Sequence, residues 1–366
     1  MVKVNKIFLT GITGTLGQEL VAELLRRTSY SLILLARGRK DQSAEDRVLK
    51  LLSDKELSEE QLQRIEVVSG DITAENFGLN ENEIQKMTKN VDAFFHIAAL
   101  TALNGSEEDC FDINVGGTKH ALKLAWKFYR EGKMQRFYYF STAFVAGSRQ
   151  TYCSKEDELP AEPKHANFYE ASKYQSEGNV RKALSEGLPA TIFRPSIVVG
   201  DSKTGKVSEF NVIYPFIRLF AHGILKTIPA DLSNSFNIVP IDFVIDATIE
   251  IAFKPESRGK TYHLIGDRQP TIQDLLDISY EEYSNFPQLD VVSPQNFVRE
   301  NFGEDERMIY DMLDPYLGYL NDHLTFDASN TREILAGTNI LLPQVDKEFL
   351  KILIRYAVER GYLLID

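Results

Sequence analysis

Thr10-Gly11-Ile12-Thr13-Gly14-Thr15-Leu16-Gly17 follows the apolar run Lys6–Thr10 and leads into Leu16, Leu20 and Leu24, spaced four apart. A strand, a glycine turn and a helix in that order suit a dinucleotide pyrophosphate. Glycine permits a tight turn and close approach of backbone to ligand, and the helix presents its positive end. GxxGxxG alone is a weak signal, and the strand–turn–helix setting gives it weight. Gly11, Thr13, Gly14, Thr15, Leu16 and Gly17 are therefore expected to bind cofactor; a Gly/Thr turn without ligand is the competing reading.

Outward from this turn, short apolar runs alternate with helical patterns as far as about Gly200. The strand candidates are Lys6–Thr10, Ser31–Ala36, Ile65–Ser69, Ala93–Ile97, Arg136–Ser141 and Ala190–Pro195. Their continuous apolar character predicts parallel strands covered on both faces. Beyond the polar loop Asp201–Gly205, the residues Phe210, Ile213, Tyr214, Ile217 and Ile224 mark one face of a helix. That face reads as core, a homodimer contact or a substrate wall. Asn237–Ala252 returns to the first pattern, and from about Glu256 the chain is mixed and helix-rich. The expected architecture is α/β, a Rossmann-type doubly wound parallel sheet with helices on both faces, plus a smaller helix-rich C-terminal substrate domain. Residues 1–200 plus 237–256 would form the first unit, and 201–236 plus 257–366 the second.

Twenty residues past Gly17, the second strand runs out in Leu35-Ala36-Arg37-Gly38-Arg39-Lys40. An acidic residue there accepts from a free ribose 2′-hydroxyl, whereas arginine suits a 2′-phosphate. Arg37 thus favours NADP(H) over NAD(H), against the alternative of a solvated basic turn. Asp71 and Ile72 follow the third strand, where a carboxylate reaches toward the adenine amino group. Ala98 and Ala99 follow His96-Ile97 at the fourth, where small residues let backbone lie along the cofactor. His96 itself reads equally as a structural histidine or a ligand.

Tyr169-Glu170-Ala171-Ser172-Lys173 puts a phenol and an ammonium on one helix face, one turn apart. A nearby cation favours the phenolate and draws its pKa down from about 10, which suits proton exchange with an alcohol or carbonyl oxygen. Ser141-Thr142-Ala143 lies at the carboxyl end of the fifth strand, where ligands of open α/β sheets bind. Asn114 is expected to cap a helix or touch cofactor, and Pro195 and Ser196 end the sixth strand beside the nicotinamide place.

The ordered set TGITGTLG, GDI, HIAA, NVGGT, STA, YEASK and RPSIVVG resembles the extended short-chain dehydrogenase/reductase family over roughly the first two hundred residues. The resemblance implies that Thr142, Tyr169 and Lys173 take the catalytic places, with Gly11, Gly14 and Gly17 on the pyrophosphate and Lys173 also on the nicotinamide ribose. The LLARG turn, STAFVAG, RPSIVVGDSKTG, Val239-Pro240-Ile241-Asp242-Phe243 and Phe326-Asp327-Ala328-Ser329-Asn330-Thr331 look most like the thioester-reductase and fatty acyl-CoA-reductase branch. What that implies is an NADPH-dependent reductase of an acyl thioester, aldehyde or ketone, the acyl chain being borne on a thioester carrier. A nucleotide-sugar epimerase or dehydratase, and a non-catalytic NADP(H)-binding regulator, are the other readings of the same scaffold.

The formal net charge of −12 argues against nucleic acid as a partner, because phosphate binding leans on basic stripes. Cys110 and Cys153 form no CxxC and no cysteine–histidine ligand spacing, so no metal site is expected and a reduced intracellular pair is. No apolar stretch approaches the ~18 residues of a membrane helix. The polar run Met1 to Lys6 does not resemble a signal peptide, and the expected location is cytoplasmic.

Overall fold

The computed structural model describes residues 5–148, 152–210 and 213–364; Met1 to Val4, from the N-terminal run noted above, lie outside them. Seven strands form one sheet: β1 (Lys6–Thr10), β2 (Ser31–Ala36), β3 (Ile65–Ser69), β4 (Ala93–His96), β5 (Arg136–Phe140), β6 (Ala190–Pro195) and β7 (Thr261–Leu264). Their spatial order is 3-2-1-4-5-6-7, and every neighbouring pair is parallel. Successive side chains of a strand point to opposite faces. Ile7 and Leu9 of β1 accordingly join Leu20 and Leu24 of helix Thr15–Arg27 and Val244 and Ile251 of helix Ile241–Ala252 on one face. Phe8 points the other way, into an aromatic cluster with Phe77, Phe94, Phe128 and Phe137. The Phe8 and Phe94 ring centroids are 4.6 Å apart, and Phe94 meets Phe137 edge-on at 5.2 Å.

The sheet departs from the sequence reading at one edge. Asn237–Ala252 supplies no sheet strand: Ile238–Pro240 pairs with Ile197–Val199 in a separate ribbon, and Ile241–Ala252 is helical. The edge strand is β7, which lies beyond residue 256, where the second unit was expected to begin. Ala328, Leu335 and Leu342 also pack into the core over the first face. A further apolar core gathers Tyr214, Ile217 and Phe220 of helix Ile213–Ala221 with Leu350, Leu353 and Ile354 of helix Lys347–Glu359. The apolar face read from Phe210 to Ile217 is therefore largely core, whereas Ile224 lies past the helix and is 45% exposed.

Polar residues are buried in β7 because partners from distant segments satisfy them. Glu177, on helix Phe168–Ser185, and Arg194, in β6, are both withdrawn from water and share two hydrogen bonds, Nε–Oε2 at 2.9 Å and Nη2–Oε1 at 2.6 Å. Arg194 also donates to the carbonyls of Lys155 and Glu158 and lies 3.2 Å from His263 Nε2 in β7. Burial pushes the Glu177 carboxyl up, but Arg194 and Arg181 outweigh it and take it down to about 2. Removing one member strands a buried charge, so Glu177→Ala should lower stability by about 3–5 kcal/mol in denaturant unfolding. Glu177→Met with Arg194→Leu should recover most of that loss, since the fully buried Arg194 charge goes with its partner, while Arg181 is partly exposed and keeps the Asp157 and Glu156 carbonyls. A double variant as unstable as the single one would show that shape, not charge pairing, matters here.

Candidate active site

Gly11 has φ +92°, and a Cβ built on it would lie 2.6 Å from the Ala98 amide nitrogen. A Cβ on Gly17 would sit 2.1 Å from the Gly11 carbonyl oxygen. The turn after β1 is thus pressed against the segment after β4, at the point where strand order reverses. Gly14 caps helix Thr15–Arg27 without a side-chain hydrogen bond, so no side chain occupies the helix's positive end. Gly11, Thr13, Gly14, Thr15, Leu16 and Gly17 line a cleft of about 670 Å³ over the carboxyl ends of the strands. Arg37, Asp71, Ile72, Ala98, Ala99, Pro195 and Ser196 line it too, as do Thr142, Tyr169 and Lys173.

One wall of the cleft is basic. Arg37 Nη1 lies 3.2 Å from Asp71 Oδ2, and Arg47 Nη1 donates to the Arg37 carbonyl at 3.0 Å. Burial, then the nearby Arg39 and Arg37, hold the Arg47 guanidinium below its ordinary pKa, as expected of crowded cations. The sequence reading missed Arg47. Its signal was Ser43, whose hydroxyl caps helix Ala44–Leu52 immediately after the basic turn and brings that helix's first turn back to the cleft. Asp71 accepts from the Thr73 amide and hydroxyl, which with Arg37 outweigh its burial and depress its pKa.

The opposite wall holds Tyr169, Lys173 and Thr142. Helix Phe168–Ser185 begins at Asn167, whose side chain accepts from the Glu170 amide. Lys173 reaches back from it to donate to the Phe140 carbonyl at 2.6 Å, its Nζ 4.5 Å from the centre of the Tyr139 ring. The Thr142 hydroxyl donates to the Pro195 carbonyl at 3.4 Å and opposes the upward push of burial on the Tyr169 phenol, whereas Ser141 acts on Glu177. Of the two hydroxyls after β5, Thr142 is the one facing Tyr169.

The electrostatics differ from the sequence reading. Burial pushes the Tyr169 phenol up to about 12, and burial likewise takes Lys173 down to about 7 against the opposing pull of Glu177. The ammonium is turned to a backbone carbonyl and does not draw the phenol toward neutrality. Desolvation dominates both groups: Lys173 is buried against β5, and Tyr169 is half-buried in the cleft wall.

Asn114 lies outside the cleft lining. It sits in the π-helical stretch Phe111–Gly116, where its Oδ1 accepts from the Leu100 amide at 2.7 Å. Its Nδ2 donates to the Leu100 carbonyl and to Ser172 Oγ. These bonds clamp the Leu100 segment of the cleft to the Tyr169 helix. His96 is structural: fully buried, it is bonded through Nδ1 to Thr10 Oγ1 at 2.8 Å, and burial, then the Lys173 charge, take it down to about 3.

The sequence profile of the male sterility protein family, an NAD-binding family, matches residues 9–248, which hold the whole of this cleft's glycine turn and its Thr142, Tyr169 and Lys173. The chain belongs to that family. It is an extended short-chain dehydrogenase/reductase of the thioester-reductase branch, an oxidoreductase with a nicotinamide cofactor. The nonribosomal peptide synthetase asaC of Aspergillus flavus is 28% identical over 98% of this chain and 37% of its own length. The L-2-aminoadipate reductase of Schizosaccharomyces pombe is 29% identical over 90% of this chain and 24% of its own length. The chain therefore spans well under half of these relatives. Among solved structures, the terminal R domain from the myxalamid PKS-NRPS biosynthetic pathway superposes with a TM-score of 0.85 at 28% identity, covering 99% of this chain and 92% of that one. Among the described residues no helix is long and apolar enough to cross a membrane, and no cluster suits a metal ion.

The buried Lys173 makes a pH test. Its folded pKa lies below the unfolded value of about 10.4, so its neutral form is favoured by folding. That contribution is fully present above the unfolded pKa and is lost as pH falls through about 7, where the ammonium must be charged inside the protein. Lys173→Met removes the titration. Its melting temperature should exceed the parent's most at mildly acidic pH, and the gap should narrow steadily into the alkaline range. The full span is several kcal/mol at about 1.4 kcal/mol per pKa unit. A gap that stays constant with pH would refute the depressed pKa.

Proposed function

We propose that this family member reduces an acyl thioester with NADPH, with Tyr169 as proton donor, Thr142 as orienting hydroxyl and Lys173 as the group holding the nicotinamide ribose. One observation carries the reading: Thr142, Tyr169 and Lys173 converge on the wall of a cleft whose far end is the basic pair Arg37 and Arg47. The residues suit the cofactor. A Cβ at Gly11 or Gly17 would collide with the backbone of Ala98 or of Gly11, so these glycines keep the turn tight enough for a pyrophosphate to lie along it. Ser196, buried and lining the cleft, has a hydroxyl with no hydrogen-bond partner among the described residues, as befits a group reserved for ligand.

When bound, NADPH supplies a hydride for the carbonyl carbon. Thr142 holds the carbonyl oxygen beside Tyr169. A phenol with a pKa near 12 is protonated at neutral pH, so it gives its proton to the oxygen as negative charge develops there. The carbonyl takes up one hydride and one proton to become a hemithioacetal, which collapses to aldehyde and free thiol. The acyl carrier is proposed as a coenzyme A or protein-borne thiol, in keeping with the relatives. A reduced, cytoplasmic setting is part of this proposal.

Two measurements test this. If Arg37 and Arg47 hold a 2′-phosphate, calorimetry should show tighter binding of NADPH than NADH. Arg37→Asp should weaken NADPH by about 2 kcal/mol, because a charge-assisted contact becomes a repulsion; equal affinities in the parent would refute the NADP assignment. Tyr169→Phe should bind NADPH nearly as well as the parent while its single-turnover rate falls about 10²–10⁴-fold. A folded Tyr169→Phe enzyme that keeps more than about a third of the parent rate would rule out the general-acid role.

A further inference from the structure

Beside the reaction cleft lies a second cavity of about 40 Å³, and its wall exposes no polar atom. Ile213, Ile217, Ile238 and Leu275 form its far side, while Ile197, Tyr316 and Tyr319 line both this cavity and the cleft. Side chains that line two cavities are the wall between them. The volume exceeds the ~10–15 Å³ a water needs, yet a water there would find no polar partner, and such cavities stay dry and accept apolar guests.

Tyr319 is the part of that wall tied to the chemistry. Its hydroxyl donates to the Glu170 carboxylate and accepts from Asn167 Nδ2 at 3.2 Å. Glu170 directly follows Tyr169, and Asn167 caps the same helix. The Tyr319 ring meets Phe144 edge-on at 5.0 Å, in the segment just past Thr142. Burial and the Glu170 charge push its phenol well above the ordinary value, so it remains a neutral donor held in one place.

We propose that Tyr319 is the specificity-determining residue for the acyl group: it closes an apolar subsite that fits the end of an aliphatic chain and so sets the upper limit on chain length. The proposal rests on the thioester-reductase reading above. A chain bearing a charged or strongly polar end would gain nothing from this cavity, because no polar group waits there. An aliphatic one gains with each methylene buried.

The test is kcat/KM with NADPH for unbranched acyl-pantetheine thioesters, from butyryl to myristoyl, in the parent, Tyr319→Ala and Tyr319→Phe. In the parent, kcat/KM should climb by up to about fourfold per methylene and then stop where the chain meets the Tyr319 ring. In Tyr319→Ala the climb should continue, raising the long-to-short ratio at least about tenfold over the parent's, the worth of two methylenes. Tyr319→Phe keeps the ring and should keep the parent's ratio. Adding Leu275→Trp to Tyr319→Ala should fill the cavity from its far side and bring the ratio back down. Should Tyr319→Ala fail to fold, Tyr319→Leu, which leaves an apolar side chain in place, is read in its stead. A folded variant of either kind with the parent's ratio overturns the assignment, even with every thioester reduced. A parent that oxidises NADPH with none of them overturns the thioester-reductase reading and this proposal with it.

Discussion

The Glu177–Arg194 ion pair, closed to water, is the contact from which the rest of the active-site half is hung. Glu177 lies on the helix that carries Tyr169 and Lys173, and Arg194 lies in β6. A charge so deeply buried is tolerated only when its geometry and hydrogen bonds are nearly complete. Completing them recruits the carbonyls of Lys155 and Glu158, His263 of β7, and Arg181 one turn along the helix. Glu156, between those two carbonyls, extends the network by accepting from the His263 amide and the Thr331 hydroxyl, and burial lifts its pKa to about 7. Helix, sheet edge and the late segment around Thr331 thereby share one polar core.

That arrangement fixes the position of Tyr169 and Lys173 at an electrostatic price. Held against β5, the phenol and the ammonium are both pushed toward their neutral forms. For the proton donor proposed here, a raised phenol pKa is an advantage, because the acid form is the populated one. The ammonium's hydrogen bond to the Phe140 carbonyl keeps it in place without water. The direction of proton flow proposed for Tyr169 thus rests on burial more than on the neighbouring cation.

Much of the fold was legible because parallel strands covered on both faces announce themselves as apolar runs: Lys6–Thr10 and Ser31–Ala36 coincide with β1 and β2. Thr261–Leu264 gave no such signal, being short, with a threonine and a histidine whose burial depends on Arg194 and Glu156 far away in sequence. Asn237–Ala252 holds a strand followed by a helix, in the order of the first two hundred residues, but the strand Ile238–Pro240 joins a separate ribbon and only the helix packs on the sheet. In the cleft, the glycine turn and the Tyr169–Lys173 spacing are local patterns. Tyr319 is not, since it meets Glu170 across 149 residues. For Asn114 the sequence offered a helix cap or a cofactor contact, whereas its bonds to Leu100 and Ser172 are visible only in three dimensions.

The late position of β7 has a consequence for how the chain is made. Domains form during synthesis from the N-terminus, at about 5–20 residues per second. When residue 200 has emerged, β6 has been made but its outer neighbour has not, and Arg194 lacks His263. Through the synthesis of the next sixty or so residues, a parallel edge with unpaired backbone groups stands open, an invitation to association with other chains. Parallel pairing across so long a connection is also slow to form. Nascent-chain aggregation is thus a hazard built into this topology, greatest in the interval before Thr261–Leu264 clears the ribosome.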